Sequence, residues 1–419
     1  MKRRTVLAGA LAAPFVARAQ DMPQGTARVV VVGGGFAGAT AARMLAQAGH
    51  QVTLVEAEAQ YVSCPFSNPV VAGLRELDGQ QFGWDKVAAS GVKLVQARAT
   101  GVDGAAKRVM LDGGAVEYDR LVMAPGVDMR LGGDPGALPG YDRAAAERMP
   151  HAWKAGAQTT LLRDQLRAMP DGGTVVMAVP ANPYRCPPGP YERASLIAWY
   201  LKNNKPRSKL LVLDAKDQFS KQKLFQQAWA QMYPGLLEWV PLSNGGAVTG
   251  VDPAAMTLST DFDTHKADVA NVIPPQRAGA IAQAAGVADR TGWCPVDPVS
   301  FESLRVPNIH VIGDAAIMGA MPKSAFAANA EAKVCAQAIT VLLAGRAPEV
   351  PRLINTCYSL VAPEYGISVA GVYRPVNGQL TDIDGAGGTS PLDAAPAVRA
   401  QEAAYADVWY HTIMGSVFG

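Results

Sequence analysis

A hydrophobic run that leads directly into a glycine-rich turn is the feature that most constrains this fold. Residues 28–32 (RVVVV) are typical of a buried parallel strand, and residues 33–38 (GGGFAG) follow at once, ahead of an alanine-rich helical stretch. Gly33 permits a tight turn, Gly35 lets the backbone approach a pyrophosphate, and Gly38 lets the helix pack closely on the strand. The helix N-terminus then offers N–H donors to phosphate. The segment predicts a dinucleotide-binding α/β domain.

Three later segments indicate which dinucleotide binds. A second strand ends at Glu56, where a carboxylate accepts hydrogen bonds from an adenosine ribose. The segment YDRLVMAPG, which contains Ala124 and Gly126, and the segment IHVIGD, which ends at Asp314, resemble the corresponding turns of two-dinucleotide flavoproteins. This resemblance favours FAD and implies that Asp314 binds the ribityl chain. Because the two fingerprints lie far apart in sequence, we expect another domain to interrupt the FAD domain.

The interrupting domain has the same β-α-β plan but a different turn. Strands are predicted at 172–179 and 209–214, with a helix at 194–201 between them. The connecting segment 180–192 (PANPYRCPPGPYE) contains prolines, which remove backbone N–H donors, where phosphate-binding glycines would be needed. We therefore predict that this site binds no NAD(P)H and that the reductant acts directly at the flavin.

These observations define an α/β fold class with two Rossmann-like, dinucleotide-binding-type domains and a smaller α+β C-terminal domain. The predicted boundaries are a signal peptide at 1–19, an FAD-binding domain at 20–165 and 295–345, a second Rossmann-like domain at 166–294, and a C-terminal interface and active-site domain at 346–419.

Composition and the first residues indicate which partners and which cellular compartment to expect. A formal net charge of +2 without a long basic run argues against nucleic acid as a partner. Arg3 and Arg4 precede an apolar run and a small-residue cleavage pattern ending at Ala19, which predicts a twin-arginine export signal and a periplasmic protein. A general secretory signal is the alternative and gives the same destination. Beyond residue 19 no apolar run of about 18 residues occurs, so we predict no transmembrane segment.

Six longer motifs resemble one family, the flavoprotein subunit of flavocytochrome c sulfide dehydrogenase. They are PHAWKAG, PYRCPPGPYERAS, NVIPPQRAG, GWCPVD, MPKSAF and NTCYSLVAPEYGISV, and together they extend from residue 150 to residue 369. The resemblance implies an FAD-dependent enzyme that oxidises sulfide to sulfane sulfur or polysulfide through a redox disulfide. It also implies a separate c-type cytochrome subunit as electron acceptor, since the chain has no C-x-x-C-H haem motif of its own.

The resemblance also assigns roles to three of the five cysteines. Cys186 and Cys357 match the redox pair of the family, although residue type alone equally allows a structural disulfide. Cys64 matches the cysteine that forms a thioether to FAD, with a buried apolar thiol as the alternative. Cys335 lies among small apolar residues and is predicted to pack in the core. Cys294 belongs to a shared motif, but no physical argument gives it a catalytic role.

Two charged residues complete the predicted site. Glu192 matches a family carboxylate near the disulfide and is expected to manage protons, unless it is a surface carboxylate at a helix N-terminus. Lys323 is expected to place positive charge near N1 and the C2 carbonyl of the flavin, with a solvated lysine as the alternative.

Other functions and contacts remain open at this stage. The rivals are sulfide:quinone oxidation at a membrane and an accessory flavoprotein that reactivates sulfur-carrier proteins by thiol exchange. At the C-terminus, Tyr405, Trp409, Ile413 and Val417 recur at helical spacing. We expect this stripe to pack internally, with a partner protein or a membrane as the alternatives.

Overall fold

The first domain is built on a five-stranded parallel sheet. The computed structural model describes residues 27–419, so the predicted export signal lies outside the described residues. The sheet has the strand order Ile309–Val311, Arg120–Met123, Arg28–Val32, Gln51–Glu56 and Lys93–Gln96. Each strand is short and rich in β-branched or aliphatic residues, as expected for strands that are covered on both faces.

Helices cover this sheet and bring distant parts of the sequence together. The helix Phe36–Gln47 follows the glycine turn and packs against the helix Ala325–Leu343, whose N-cap Ser324 accepts a hydrogen bond from the Ala327 N–H. Because the strand Ile309–Val311 and the helix Ala325–Leu343 come late in the sequence, the first domain is discontinuous. The shorter helices here are Ser67–Val71, Asp85–Ala89, Arg143–Arg148 and Ala157–Ala168, with 3-10 turns at Leu77–Gln80 and Gly313–Ala315.

The second domain repeats the plan with a four-stranded parallel sheet in the order Leu237–Val240, Lys209–Asp214, Thr174–Val179 and Val269–Val272. Its helices are Gly189–Asn204, Gln222–Met232 and Ile281–Ala284. The first of these begins five residues before the predicted start at 194. Proline is compatible with the first helical turn, where its missing N–H would have no partner, so Pro190 does not delay the helix.

The C-terminal domain is an antiparallel sheet followed by one long helix. The strands Leu353–Ala362 and Tyr365–Val376 form a hairpin, and Gln379–Asp382 and Gly388–Thr389 pair with the second of them. The helix Pro396–Phe418 packs against both long strands and returns to the first domain. The predicted fold class is therefore confirmed.

Small two- and three-stranded sheets complete the domains, and all are antiparallel except the pair Cys294–Pro295 and Ala316–Ile317, which is parallel. The strands Val127–Met129 and Gln276–Ala278 pair with each other and join the two large domains. The remaining strands are Tyr61–Val62, Gln81–Phe82, Ala99–Asp103, Arg108–Leu111, Gly114–Glu117, Gly250–Asp252, Thr257–Ser259, Thr264–Lys266, Cys294–Pro295 and Ala316–Ile317, with a 3-10 turn at Leu242–Asn244. Within residues 27–419, none of the helices has the length and apolar character needed to span a membrane.

Candidate active site

One cavity of about 760 Å³ extends from the glycine turn of the first domain to the junction of all three domains. At one end it is lined by the glycine turn and Glu56, and Asp314 lies on its wall. At the other end it is lined by Cys64, Cys186, Glu192 and Cys357. The structure therefore brings most of the predicted site residues to a single elongated cavity.

The glycine turn leaves no room for side chains at two positions. Gly33 has φ +93°, and a Cβ there would lie 2.4 Å from the Ala124 carbonyl oxygen. A Cβ on Gly38 would lie 1.7 Å from the Gly33 oxygen, so only glycine lets the helix approach the strand this closely. Gly35 and Gly126 also line the cavity, with Gly126 at φ +62°.

Glu56 and Asp314 offer oxygens to the cavity wall. Glu56 Oε2 accepts a hydrogen bond from the Gly34 N–H at 2.6 Å, which fixes the carboxylate at the end of its strand. Asp314 Oδ1 is buried and has no hydrogen-bond partner, and burial raises the pKa of Asp314. A buried polar atom without a partner requires one. A hydroxyl of a bound ribityl chain would satisfy this oxygen, so the residues present fit FAD.

Cys186 lies in the proline-rich turn of the second domain. Its N–H donates to the Lys323 carbonyl at 2.8 Å, and its own carbonyl accepts from the Gly189 N–H at 2.8 Å. The residue has φ +58°, an uncommon conformation for a residue with a side chain, which these two hydrogen bonds hold in place. Burial raises the pKa of the Cys186 thiol, and the neighbouring Cys357 and Glu192 raise it further.

Cys357 comes from the C-terminal hairpin and lines the same end of the cavity. Asn355, two residues earlier on the strand, donates from Nδ2 to Cys357 Sγ at 3.5 Å. Both Cys186 and Cys357 are free thiols in this structure rather than a disulfide. The structure thus brings the two cysteines to one cavity, and their pairing in the resting protein stays a prediction.

Glu192 lies in the first turn of its helix but is not a surface residue. Its carboxylate accepts hydrogen bonds from the Leu360 N–H at 2.8 Å and from Asn68 Nδ2 at 2.7 Å. Burial raises the pKa of Glu192, while these hydrogen bonds and the nearby cations Lys221 and Arg193 act in the opposite direction. A partly buried carboxyl group with a raised pKa beside two thiols is suited to accepting and returning a proton.

Cys64 and Lys323 lie in different places relative to the cavity. The Cys64 thiol is partly exposed in the cavity wall, 3.8 Å from the Trp153 carbonyl oxygen, and so remains accessible to a cofactor. Lys323 does not line the cavity. Its ammonium donates to the carbonyl oxygens of Asp314 and Ala316 at 2.8 and 2.6 Å and lies 4.1 Å from the ring centroid of Trp293. The ammonium of Lys323 therefore binds backbone carbonyls of residues 314 and 316, and its position relative to a bound flavin stays a prediction.

Arg185 is a cavity residue that sequence reasoning missed. It precedes Cys186, lines the cavity, and donates from Nη2 to the Trp153 carbonyl. Burial lowers the pKa of Arg185, but Cys64, Asp314 and other neighbouring acidic groups more than offset this and keep the guanidinium charged. A charged residue directly beside a predicted redox cysteine was the available signal.

Lys221 and Arg193 were also missed, and no local motif marks them. Arg193 is buried and stacks 4.8 Å from the centroid of the Trp153 ring, with a pKa lowered to about 10 by burial. It donates from Nε to Asn68 Oδ1 at 2.9 Å, so it fixes the side chain that in turn donates to Glu192. Lys221 extends from the second domain and donates to the Cys357 carbonyl oxygen.

The nucleotide site of the second domain is filled by its own side chains. Asp214 ends the second strand of this domain, at the place that Glu56 occupies in the first. It is buried and accepts hydrogen bonds from the Tyr191 hydroxyl at 2.6 Å, Trp239 Nε1 at 3.0 Å and Lys216 Nζ at 2.6 Å. Phe219 stacks on Tyr191 with a centroid distance of 3.5 Å. This carboxylate is therefore unavailable to a ribose.

The remaining cysteines and the C-terminal stripe mostly pack in the interior. Cys335 is fully buried in the core, as predicted, and Cys294 is equally buried, with a pKa raised to about 12 by burial. In the C-terminal helix, Ile413 and Val417 are buried, Trp409 lines the cavity, and Tyr405 is 49% exposed. Internal packing thus accounts for most of the stripe, although not for Tyr405.

The fold and cavity define a flavoprotein of the class with two dinucleotide-binding-type domains. A pyridine nucleotide-disulphide oxidoreductase model matches residues 27–165. Two further models match the central region (159–274) and the flavin-binding region (349–418) of the flavoprotein chain of flavocytochrome c sulfide dehydrogenase. The chain belongs to this family of flavin-dependent oxidoreductases.

Individual relatives are similar in sequence or in fold. A 48-residue flavoprotein-chain sequence of sulfide dehydrogenase [flavocytochrome c] from Chlorobaculum thiosulfatiphilum is 56% identical over its whole length, which is 11% of this chain. The mitochondrial sulfide:quinone oxidoreductase of Mus musculus is 23% identical over 307 residues, covering 68% of this chain and 65% of that protein. The solved sulfide:quinone oxidoreductase of Aquifex aeolicus has a similar fold, with a TM-score of 0.68 and 16% identity over 93% of this chain and 92% of that one.

Proposed function

We propose that this protein is an FAD-dependent sulfide dehydrogenase that oxidises sulfide to sulfane sulfur or polysulfide and passes the electrons to a c-type cytochrome. The observation that carries the proposal is the meeting of Cys186, Cys357 and Glu192 at one end of a cavity whose other end fits FAD. The family to which the chain belongs supports the same reaction.

The proposed first step is thiol-disulfide exchange. HS⁻ attacks the Cys186 sulfur of the Cys186–Cys357 disulfide, so that a new sulfur–sulfur bond forms while the old one breaks. Cys186 then carries a persulfide, and Cys357 leaves as a thiolate with the electron pair of the broken bond. The sulfide sulfur is oxidised to sulfane sulfur, and the disulfide is reduced. Charge balances, because one anion enters and one thiolate remains.

The surrounding residues suit this step. Glu192 is near enough to influence the Cys186 thiol. When a second HS⁻ attacks the sulfane sulfur, the persulfide sulfur–sulfur bond breaks, Cys186 leaves as a thiolate, and Glu192 accepts a proton from the released H2S2. Arg185 and Lys221 supply positive charge beside the incoming anion and the departing thiolate. FAD, held by the glycine turn, Glu56 and Asp314, would supply the two-electron acceptor that restores the disulfide.

We also propose a covalent link between FAD and Cys64, since this thiol faces the cavity and is not buried in the core. Acid-precipitated protein should remain yellow, and Cys64→Ala should release its flavin under the same treatment. A wild-type supernatant that contains all of the flavin would rule out the bond without affecting the other FAD contacts.

The partner and destination are likewise proposals. We infer that a c-type cytochrome subunit accepts the electrons and that the twin-arginine-type signal directs the protein to the periplasm. A membrane quinone is less well supported, because the C-terminal helix is anchored in the first domain: the Phe418 ring stacks on Tyr61 with a centroid distance of 4.9 Å. Reactivation of sulfur-carrier proteins uses the same disulfide and is a second outcome of the test.

The reductant and the acceptor are tested separately. In anaerobic stopped-flow experiments sulfide should bleach the flavin, whereas NADH and NADPH should not, because Asp214 and the aromatic side chains fill the second nucleotide site. Steady-state turnover is then compared with cytochrome c, a quinone and a persulfidated carrier protein. Rapid bleaching by NADH would contradict the proposal. A marked preference for the quinone or the carrier protein would mean that this molecule, rather than a cytochrome, accepts the electrons.

A further inference from the structure

Lys221 is a buried lysine that crosses from the second domain to the strand of Cys357. It lies at the N-cap of the helix Gln222–Met232 with φ +63°, and only 7% of the residue is exposed. Its ammonium donates to the Cys357 carbonyl oxygen at 3.0 Å and to Ser359 Oγ at 2.8 Å, and it lies 3.5 Å from the Ile367 carbonyl oxygen. The lysine thus fixes the backbone on which the thiol is carried.

These hydrogen-bond partners are all neutral, so no directly bonded counter-charge offsets the burial of the cation. Lys216, in the same domain, is paired with the Asp214 carboxylate at 2.6 Å. Burial lowers the pKa of Lys221 to about 8, while Cys357, Glu192, Cys186 and Glu402 all favour the charged form. Part of the electrostatic compensation for Lys221 therefore depends on whether the two cysteines carry a negative charge.

The charged and titratable groups that face Cys357 come from several elements. Cys186 and Glu192 approach from the turn and helix of the second domain, and Tyr373 from the adjacent strand. Glu402 of the C-terminal helix is a further acidic group that favours the charged form of Lys221. Cys186, Glu192, Tyr373 and Glu402 are neutral or negative, so they do not stabilise a thiolate at Cys357. Lys221 is the cation bonded directly to the backbone of this residue.

We propose that Lys221 is a positioning residue for sulfide oxidation, which holds the Cys357 strand against the second domain and stabilises the negative charge that forms on Cys357 when the disulfide opens. This inference rests on the proposed function and adds a residue to it. The anionic charge brought by HS⁻ ends on the Cys357 sulfur, and the ammonium of Lys221 faces the strand that bears it. A cation in this position favours the thiolate as leaving group and as the subsequent nucleophile.

The chain offers a matched control. Lys205 is also buried, and its ammonium donates to two backbone carbonyls, those of Arg167 and Met169, at the end of another helix. The hydrogen-bond partners of this ammonium belong neither to the turn of Cys186 nor to the strand of Cys357. Lys205→Met should therefore reproduce the structural cost of removing a buried lysine without changing the chemistry of the thiols.

The test uses the reduced, FAD-loaded protein and iodoacetamide. Alkylation of Cys357 and of Cys186 is measured separately by peptide mass spectrometry as a function of pH, in wild type, Lys221→Met, Lys221→Gln, Lys221→Arg and Lys205→Met. We expect Lys221→Met and Lys221→Gln to raise the pH midpoint for Cys357 by about one unit. Lys221→Arg should restore most of the wild-type behaviour, and Lys205→Met should leave the midpoint unchanged.

The second readout is the rate at which sulfide bleaches the flavin. Lys221→Met should slow it about 10-fold near neutral pH, because one pH unit corresponds to a tenfold change in thiolate fraction, and the deficit should narrow as pH rises. Unchanged midpoints in both Lys221→Met and Lys221→Gln would overturn the proposal, even if those proteins melt earlier. Wild-type protein that does not react with sulfide would refute the proposed function. The alkylation measurement needs no sulfide turnover, so it decides the role of Lys221 even in that case.

Discussion

The two large domains share one β-α-β plan and use it for opposite purposes. In the first, the glycine turn leaves space beside the helix N-terminus, and Glu56 lies on the cavity wall. In the second, prolines and Cys186 form the turn, and the acid at the end of the second strand, Asp214, is fully buried. The comparison teaches that the same β-α-β frame can leave its strand-end acid on a cavity wall in one domain and bury it under aromatic side chains in the other.

Aromatic packing fills that space. Phe219 contacts Tyr191, Trp229 and Trp239 with ring-centroid distances of 3.5, 6.0 and 5.3 Å. Such rings bury large apolar areas and pack well in offset or edge-to-face arrangements. They also fix the helix Gly189–Asn204, which positions Glu192 immediately beyond the turn that contains Cys186.

The most direct way to break the comparison is to remove the thiols from the turn and the hairpin. We expect Cys186→Ser and Cys357→Ser each to lower the rate of sulfide-driven flavin bleaching by a factor of about 1,000 or more, since the disulfide that HS⁻ attacks is lost outright. Flavin content should stay at the wild-type level, because the glycine turn, Glu56 and Asp314 are untouched.

A structural bridge would give a different pattern for the same variants. Both proteins would then melt earlier but still bleach with sulfide at near wild-type rates, and the redox role would be wrong. Mass spectrometry of wild-type protein trapped during turnover should also detect an added sulfur on the peptide that contains Cys186.

A smaller effect is expected at Glu192. Since burial raises the pKa of this carboxyl group, it becomes protonated at a higher pH than an ordinary glutamate, and a protonated group cannot accept a proton. The bleaching rate, corrected for the HS⁻ fraction, should therefore fall as pH decreases through a value above 4.5. Glu192→Gln should be about 100-fold slower and should lack this acid limb. A variant that retains the limb would assign it to another group.

The smallest effects are expected at Asp214 and Glu56, the acids that end the second strand of each large domain. Asp214→Asn leaves Lys216 buried without its counter-charge, so we expect the free energy of unfolding to fall by about 3 kcal/mol with FAD content unchanged. Glu56→Gln keeps an oxygen for the Gly34 N–H and should change stability by less than about 0.5 kcal/mol.

FAD affinity should respond in the opposite order, with a larger loss in Glu56→Gln than in Asp214→Asn. In a Cys64→Ala background, where FAD can exchange, Glu56→Gln should weaken FAD binding about tenfold through loss of a charged hydrogen bond. Urea unfolding and FAD titration measure the two quantities. Equal loss of FAD affinity in Asp214→Asn and Glu56→Gln would mean that the second domain still contributes to cofactor binding.

The sequence allowed the fold and the main cavity residues to be predicted because these depend on local signals. A strand followed by a glycine turn, and cysteines within long distinctive motifs, carry their meaning in a few neighbouring residues. Lys221 could not be found in this way, because its contacts are with a strand more than 130 positions away. Lys323 was predicted beside the flavin; its ammonium donates to the carbonyls of Asp314 and Ala316, and its place relative to the flavin stays a prediction. Tertiary contacts, rather than local sequence, determine where the side chains of Lys221 and Lys323 lie.

The last turns of the helix Pro396–Phe418 have a consequence for how the protein is made. Phe418 packs among Phe36, Tyr61, Phe82 and Trp84, and Trp84 in turn lies against Gly34 of the phosphate-binding turn. Arg43 of the first helix donates to the carbonyl oxygens of Ser416 and Val417. The wall of the FAD cavity is thus backed by residues that leave the ribosome some 380 positions after the strand that begins the domain. Stable insertion of FAD is therefore expected only after this helix has been synthesised and has packed on the first domain.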